Sequence, residues 1–179
     1  MASLSRPAVE LLAHYAGTHR DQRNIQTHLV GVPMVVFAVS VLLSVPWLHW
    51  GGLAFTPAWV VFVATSAWFL TRGHLGAGIA ATLMVGLLVT LAHRVPAGTT
   101  ASWLTWGLGC FVAGWLLQFV GHYYEGRRVA FSDGIAGWLV APMFVATELL
   151  ALAGFFHGLV EEIERRAGPT HLRDLAHPA

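Results

Sequence analysis

Residues 103–128 read WLTWGLGCFVAGWLLQFVGHYYEGRR. From Trp103 to Val120 there is no charged residue, and the run then meets His122, Tyr123, Tyr124, Glu125, Arg127 and Arg128. A helix needs about 17–25 apolar residues to cross a hydrocarbon core of roughly 30 Å. In lipid the backbone must satisfy its own hydrogen bonds, which a helix does within one segment. The stretch therefore predicts a membrane helix with a polar, titratable end.

Four further apolar stretches flank it: Leu29–Leu48, Leu53–Thr71, Leu75–Ala92 and Ile135–Phe156, the last interrupted by Pro142 and Glu148. The chain is 56% hydrophobic and 11% charged, against about 25% charged residues in soluble domains. Trp47, Trp50, Trp103 and Trp106 near the segment ends fit interfacial anchoring. Gly76, Gly78 and Gly86 in one segment, and Gly107, Gly109 and Gly114 in another, would permit close helix packing. The N-terminal residues 8–17 read as an amphipathic helix on the membrane surface, with Val9, Leu12 and Ala16 on one face. The fold expected is an all-α polytopic membrane bundle of four to five hydrophobic helices plus this interfacial helix. Residues 1–160 would form a single membrane-embedded domain and 161–179 a polar tail, with a short helix around Glu161–Arg166 and a loose end.

Every fixed positive charge is arginine; there is no lysine. The net charge of +1 offers no case for nucleic acid. Cys110 is alone, so no intrachain disulfide forms. The N-terminus has no uninterrupted apolar core and is not read as a signal peptide. Arg6, Arg20 and Arg23 precede the first span, and Arg127 and Arg128 follow the fourth. Positive-inside logic places both on the cytoplasmic side. Arg165, Arg166 and Arg173 in the tail then favour an even number of spans with both ends inside, the fifth stretch not fully crossing. Abundant Ala, Gly and Arg point to a bacterial source and the plasma membrane; a eukaryotic relative would sit in the endoplasmic reticulum.

There are ten histidines against nine acidic residues. In YAGTHRDQRNIQTHLVGVP, residues 15–33, Tyr15 and His19 are four apart, as are Asn24 and His28, so each pair would share a helix face. Gln118, His122 and Glu125 form one helical stripe. An imidazole and a carboxylate three residues apart can hold one ion. Two histidines and a carboxylate with open positions suit non-haem iron(II) oxygenases; zinc accepts the same ligand types. The candidate ligands are His19, His28, His122 and Glu125, brought to one side by the topology. Taken singly, a histidine at a helix end is more often a solvated interfacial side chain. His14, His49, His74, His93, His157, His171 and His177 are read that way. Glu148 is an intramembrane carboxylate, a functional candidate or a helix-to-helix hydrogen bond. Arg127 and Arg128 could hold a substrate carboxylate or lipid phosphate.

Tyr15, His19, Asn24, His28, Gly31 and Pro33, with Gln118, Gly121, His122, Glu125 and Asp133, resemble a family of small membrane proteins. These are the iron-dependent 2-hydroxy-fatty-acid dioxygenases, whose fungal member is named for metabolism of phytosphingosine to odd-numbered fatty acids. The resemblance runs over roughly residues 8–157, carried by the blocks H-x4-N-x3-H-x2-G-x-P and Q-x2-G-H-x2-E. It implies a membrane enzyme that uses iron(II) and molecular oxygen to shorten a 2-hydroxy fatty acid by one carbon. It also implies that His19, His28 and His122 are needed and bind iron; Glu125 as a fourth ligand follows from spacing alone. Tyr15, Asn24, Gln118, Arg127, Arg128, Asp133 and Glu148 are expected around the site. The family usually has a proline shortly after the glutamate, where this chain has Val129. The alternatives are a zinc-dependent membrane lipid hydrolase, and a non-enzymatic haem-binding or structural membrane protein.

Overall fold

The computed structural model describes residues 5–45, 48–50, 53–95, 100–126 and 134–175. They form α1 (Ala8–Ala16), α2 (Gln22–Leu42), a two-stranded antiparallel hairpin of β1 (Leu48–Trp50) and β2 (Leu53–Phe55), α3 (Pro57–Leu70), α4 (Leu75–Ala92), α5 (Thr100–Glu125), α6 (Gly134–Leu152) and α7 (His157–Ala167). Three of these, α2, α4 and α5, are long and apolar enough to cross a membrane.

Helices α2 to α5 alternate between two ends of the molecule. At the distal end, Ala58 N–H donates to Leu43 O, Trp103 Nε1–H donates to Val41 O, and the Thr56 hydroxyl pairs with His93 Nε2. At the proximal end, Ala8 N–H donates to Arg72 O, and His74 stacks edge-on with Phe156. The second apolar stretch yields a shorter helix than expected. Leu53–Phe55 is strand, and Pro57, favoured in a first helical turn, starts α3 with 14 residues. That is about 21 Å, less than a full hydrocarbon core, yet α3 still runs between the two ends.

Helix α6 places Trp138 beside Trp115, well inside α5, at 5.6 Å between ring centroids. Its Phe144 reaches Tyr15 and His19, and its C-terminal end continues to Phe156 by the start of α4. Helix α6 thus begins at depth and returns to the proximal end. There it meets α1 and α7, so both terminal helices lie on the same side as the start of α2 and the end of α5. Helix α1 is covered by protein on its apolar face. Leu11, Leu12 and Ala16 are fully buried, and α1 packs against α6 and α7.

The closest helix pair is α2 against α5, and glycine spacing explains it. Gly107, Gly114 and Gly121 recur every seven residues and put a smooth stripe on α5. A Cβ on Gly114 would stand 2.9 Å from Gly31 O and 3.1 Å from Val35 N, both backbone atoms of α2. A Cβ on Gly121 would strike Thr27 and Asn24 and sit 3.2 Å from His28 Nδ1. The stripe therefore brings His28 against His122. Gly109 has nothing within 4 Å and is no part of it. Gly114→Ala is expected to lose about 1–3 kcal/mol through overpacking. Gly109→Ala should be neutral or stabilising by up to roughly 1 kcal/mol, the helix-propensity difference. Thermal unfolding in detergent, compared side by side, checks the pair.

Candidate metal centre

Asp21 starts α2. Its Oδ1 accepts from Arg23 N–H at 2.9 Å, capping the helix. Asn24 and His28 then share one face, as the spacing predicted, and His28 Nδ1–H donates to Asn24 O at 2.9 Å. His19 differs from expectation, because α1 ends at Ala16 and His19 lies in the link that follows. It still meets Tyr15: the rings stack at 4.0 Å and 8°, and His19 Nδ1–H donates to Tyr15 O at 2.7 Å.

Each of these bonds fixes a tautomer. With Nδ1 donating, Nε2 of His19 and Nε2 of His28 carry bare lone pairs. Both are buried without a hydrogen-bond partner, as is Nδ1 of His122. Ligand atoms of these three residues all lie within 4.8 Å of one another. Burial pushes His19 well below the ordinary histidine pKa, the neighbouring His28 adds to this, and the Tyr15 carbonyl only partly opposes it. The ring is therefore neutral at physiological pH. Three clustered imidazoles, each with a buried nitrogen that has no hydrogen-bond partner, are costly for a metal-free protein, and three histidines are a donor set a divalent metal takes. The residues fit a bound ion.

Glu125 stands outside this group. Its carboxylate accepts from Arg20 N–H at 3.1 and 3.0 Å, Asp21 N–H at 2.8 Å and Asn24 Nδ2 at 3.0 Å. The residue expected as fourth ligand thus forms a clasp through its carboxylate. It ties the end of α5 to the link carrying His19 and, through Asn24, to the helix carrying His28. The i, i+3 spacing placed it on the His122 side of α5, and the bonds to backbone N–H groups of another segment are what the structure adds.

An apolar cavity opens on the cluster, bounded by Tyr15, Gln118, His122, Trp115, Trp138 and Pro142 among others. Gln118 lines it one turn above His122 on α5.

A family model described as "2-hydroxy-palmitic acid dioxygenase Mpo1-like" matches residues 5–152. The chain belongs to the Mpo1-like family. It is also 31% identical over 158 residues to the protein named 2-hydroxy-palmitic acid dioxygenase MPO1 of Saccharomyces cerevisiae, covering 86% of this chain and 85% of the yeast protein. No solved structure matches.

The remaining histidines of this Mpo1-like chain have ordinary roles or lie apart. His14 and His157 are exposed. His74 caps α4 by accepting from Ala77 N–H, and His93 closes the same helix at the distal end. His171 contributes backbone only. Arg127, Arg128, Asp133 and His177 lie outside the described residues, as does the side chain of His49. Glu148 faces Arg20 electrostatically.

Two parts of the site went unread in the sequence. Arg20 is almost fully buried. Its Nε–H donates to Ala16 O and its Nη1–H to Gly168 O, spanning from α1 to the C-terminal tail. The tail is not a loose end. His171 N–H donates to Arg20 O, Gln22 N–H donates to His171 O, and Arg173 N–H donates to Asp21 Oδ2. The Arg23 guanidinium beside Asp21, helped by the Arg173 and Arg23 backbone N–H groups, holds that carboxyl well below the usual carboxylate range. An Asp just before an apolar helix was a readable cap signal; the backbone-only tail contacts were not. Asp21→Ala removes cap, ion pair and tail anchor together. We expect a loss of about 2–3 kcal/mol and weaker metal retention, checked by thermal unfolding with and without metal.

Proposed function

We propose that this protein is a membrane-embedded iron(II) dioxygenase that converts a 2-hydroxy fatty acid into the fatty acid one carbon shorter. One observation carries the reading. Three clustered imidazoles, each with a buried nitrogen lacking a partner, lie beside an apolar cavity that His122 lines, in a chain whose yeast relative is named for this class of substrate. His19, His28 and His122 hold the metal. Iron(II) bound there supplies oxygen activation and an anchor for the polar end of the substrate. The overall change is balanced: the 2-hydroxy acid and O2 become the shortened acid, CO2 and water, the bond between the carboxyl carbon and the hydroxyl-bearing carbon being broken.

The protein's own residues do the positioning. The Tyr15 carbonyl and ring fix His19, the Asn24 carbonyl fixes His28, and Glu125 locks both segments to α5. Hydrogen bonds of this kind orient ligands and set their basicity. The apolar walls keep water from the reacting end while admitting an alkyl chain from the bilayer.

The all-histidine donor set also keeps the zinc hydrolase reading alive, since three histidines and one open position form a known catalytic zinc site. Haem fits poorly, because a porphyrin would have to pass between two imidazoles where the third already stands. Purification in detergent, metal analysis and anaerobic reconstitution with iron(II) distinguish the readings. Iron, oxygen uptake and an odd-chain acid from 2-hydroxypalmitate support the dioxygenase. Bound zinc with oxygen-independent hydrolysis of a lipid ester or amide would replace it.

A further inference from the structure

A second cavity adjoins the one at the histidines. Val35, Val36, Trp138 and Pro142 line both, and the second, larger space lies between α2, α3, α4 and α6 and reaches Leu43, Ala58 and Val89 near the distal end. This second space is walled by hydrocarbon. The hydroxyls at its edge are turned to their own helices: Ser40 donates to Val36 O and Thr65 to Val61 O. Its length suits one kind of occupant. Along α2, His28 to Val39 is about 16 Å and His28 to Leu43 about 22 Å of helical rise. One leaflet's acyl tail fills about half of a 30 Å core, or roughly 15 Å.

Resting on the function proposed above, we propose that the two cavities form one acyl-chain channel. The hydroxy-acid end sits at His19, His28 and His122, and the methyl end lies among Val39, Leu43 and Val89. Trp138 and Pro142 form the neck between the two spaces, and the depth beyond the neck sets the longest chain accepted. Pro142 removes the helical hydrogen bond to the carbonyl of Trp138, which permits α6 to bend at the neck. The occupant is the substrate's own chain, because the space shares the Val35, Val36, Trp138 and Pro142 wall with the cavity that His122 lines, where the reacting end must lie. A resident bilayer lipid is the competing occupant.

Val39 is half-buried and lines only the distal space, so Val39→Trp shortens the channel far from the histidines. The measurement is kcat/KM for 2-hydroxy acids of palmitoyl and octanoyl length, in wild type and variant. We expect a fall of about 10–100-fold for the long acid, the range hydrophobic pockets deliver, and no change for the short one. The same fold-change for both acids relative to wild type, or none for either, would overturn the channel. A second readout does not need turnover. A 2-hydroxy acid carrying a diazirine at its methyl end is photolysed with wild-type protein and the labelled peptide mapped. Label on the Val35–Leu43 and Val85–Val89 segments supports the channel even if Val39→Trp fails to fold. Label confined to the lipid-facing side of α5, at Val112 and Leu116, favours a bilayer-held chain and sinks it. Failure of the dioxygenase reading looks different: wild type then turns over neither acid, whatever the label shows.

Discussion

His122→Ala is expected to abolish metal retention and turnover while leaving the helical fold intact. The reason is the asymmetry of the cluster. His19 stacks on Tyr15 and bonds its carbonyl, and His28 bonds Asn24, so replacing either also disturbs local structure. His122 Nδ1 is buried and bonds nothing. It is the cleanest place to separate ligation from folding. An unpartnered buried nitrogen costs about 1–3 kcal/mol, and a bound metal relieves three of them together. Metal should therefore raise the melting temperature of the wild type. A ligand at a hundredfold excess over its Kd adds about 2.7 kcal/mol. In His122→Ala this metal-dependent shift should vanish, with iron content falling from stoichiometric to background. A variant that keeps stoichiometric iron and the shift would mean that the metal binds elsewhere.

How much of this was legible before the structure depended on whether the information was local. His28 and Asn24 are four apart on a helix, and His122 ends a long apolar run; both patterns sit in a few consecutive residues. So did the interruptions of the fifth stretch, Pro142 and Glu148. The seven-residue recurrence of Gly107, Gly114 and Gly121 was also written in the sequence, although Gly109 obscures it on a first count. The hairpin of Leu48–Trp50 with Leu53–Phe55 was not read, because both of its strands join apolar runs that continue as helix. Other features were invisible for a physical reason. The tail holds the link through backbone atoms of Gly168, His171 and Arg173, and any residue offers those. Burial of α1 beneath α6 and α7 depends on α7 folding back, which no periodicity in α1 reports. Glu125 belongs to the same class, since its partners are mostly backbone N–H groups a hundred residues away.

Glu125 gives the sharper test, because ligand and clasp predict different outcomes for one substitution. If Glu125 bound the metal, Glu125→Gln would weaken binding as severely as His122→Ala, since a neutral amide is a poor ligand for a divalent ion. As a clasp it should behave otherwise. Oε2 takes three of the four bonds, from Arg20 N, Asp21 N and Asn24 Nδ2. A glutamine can place its carbonyl oxygen there and keep most of them, losing charge assistance, while its amide faces the weaker Arg20 contact at 3.1 Å. We expect Glu125→Gln to lose about 1–2 kcal/mol and to weaken metal binding about 10-fold, the lower end for outer-shell changes. Glu125→Ala strips all the acceptors and leaves buried N–H groups of Arg20 and Asp21 unpaired, at roughly 3–5 kcal/mol. Its His19 link should loosen enough to lose metal by about 100-fold. The order wild type, Glu125→Gln, Glu125→Ala should appear in both melting temperature and iron affinity. A ligand role would show instead as a collapse of affinity in Glu125→Gln with the metal-free melting temperature unchanged, so the two readouts together decide what this carboxylate does.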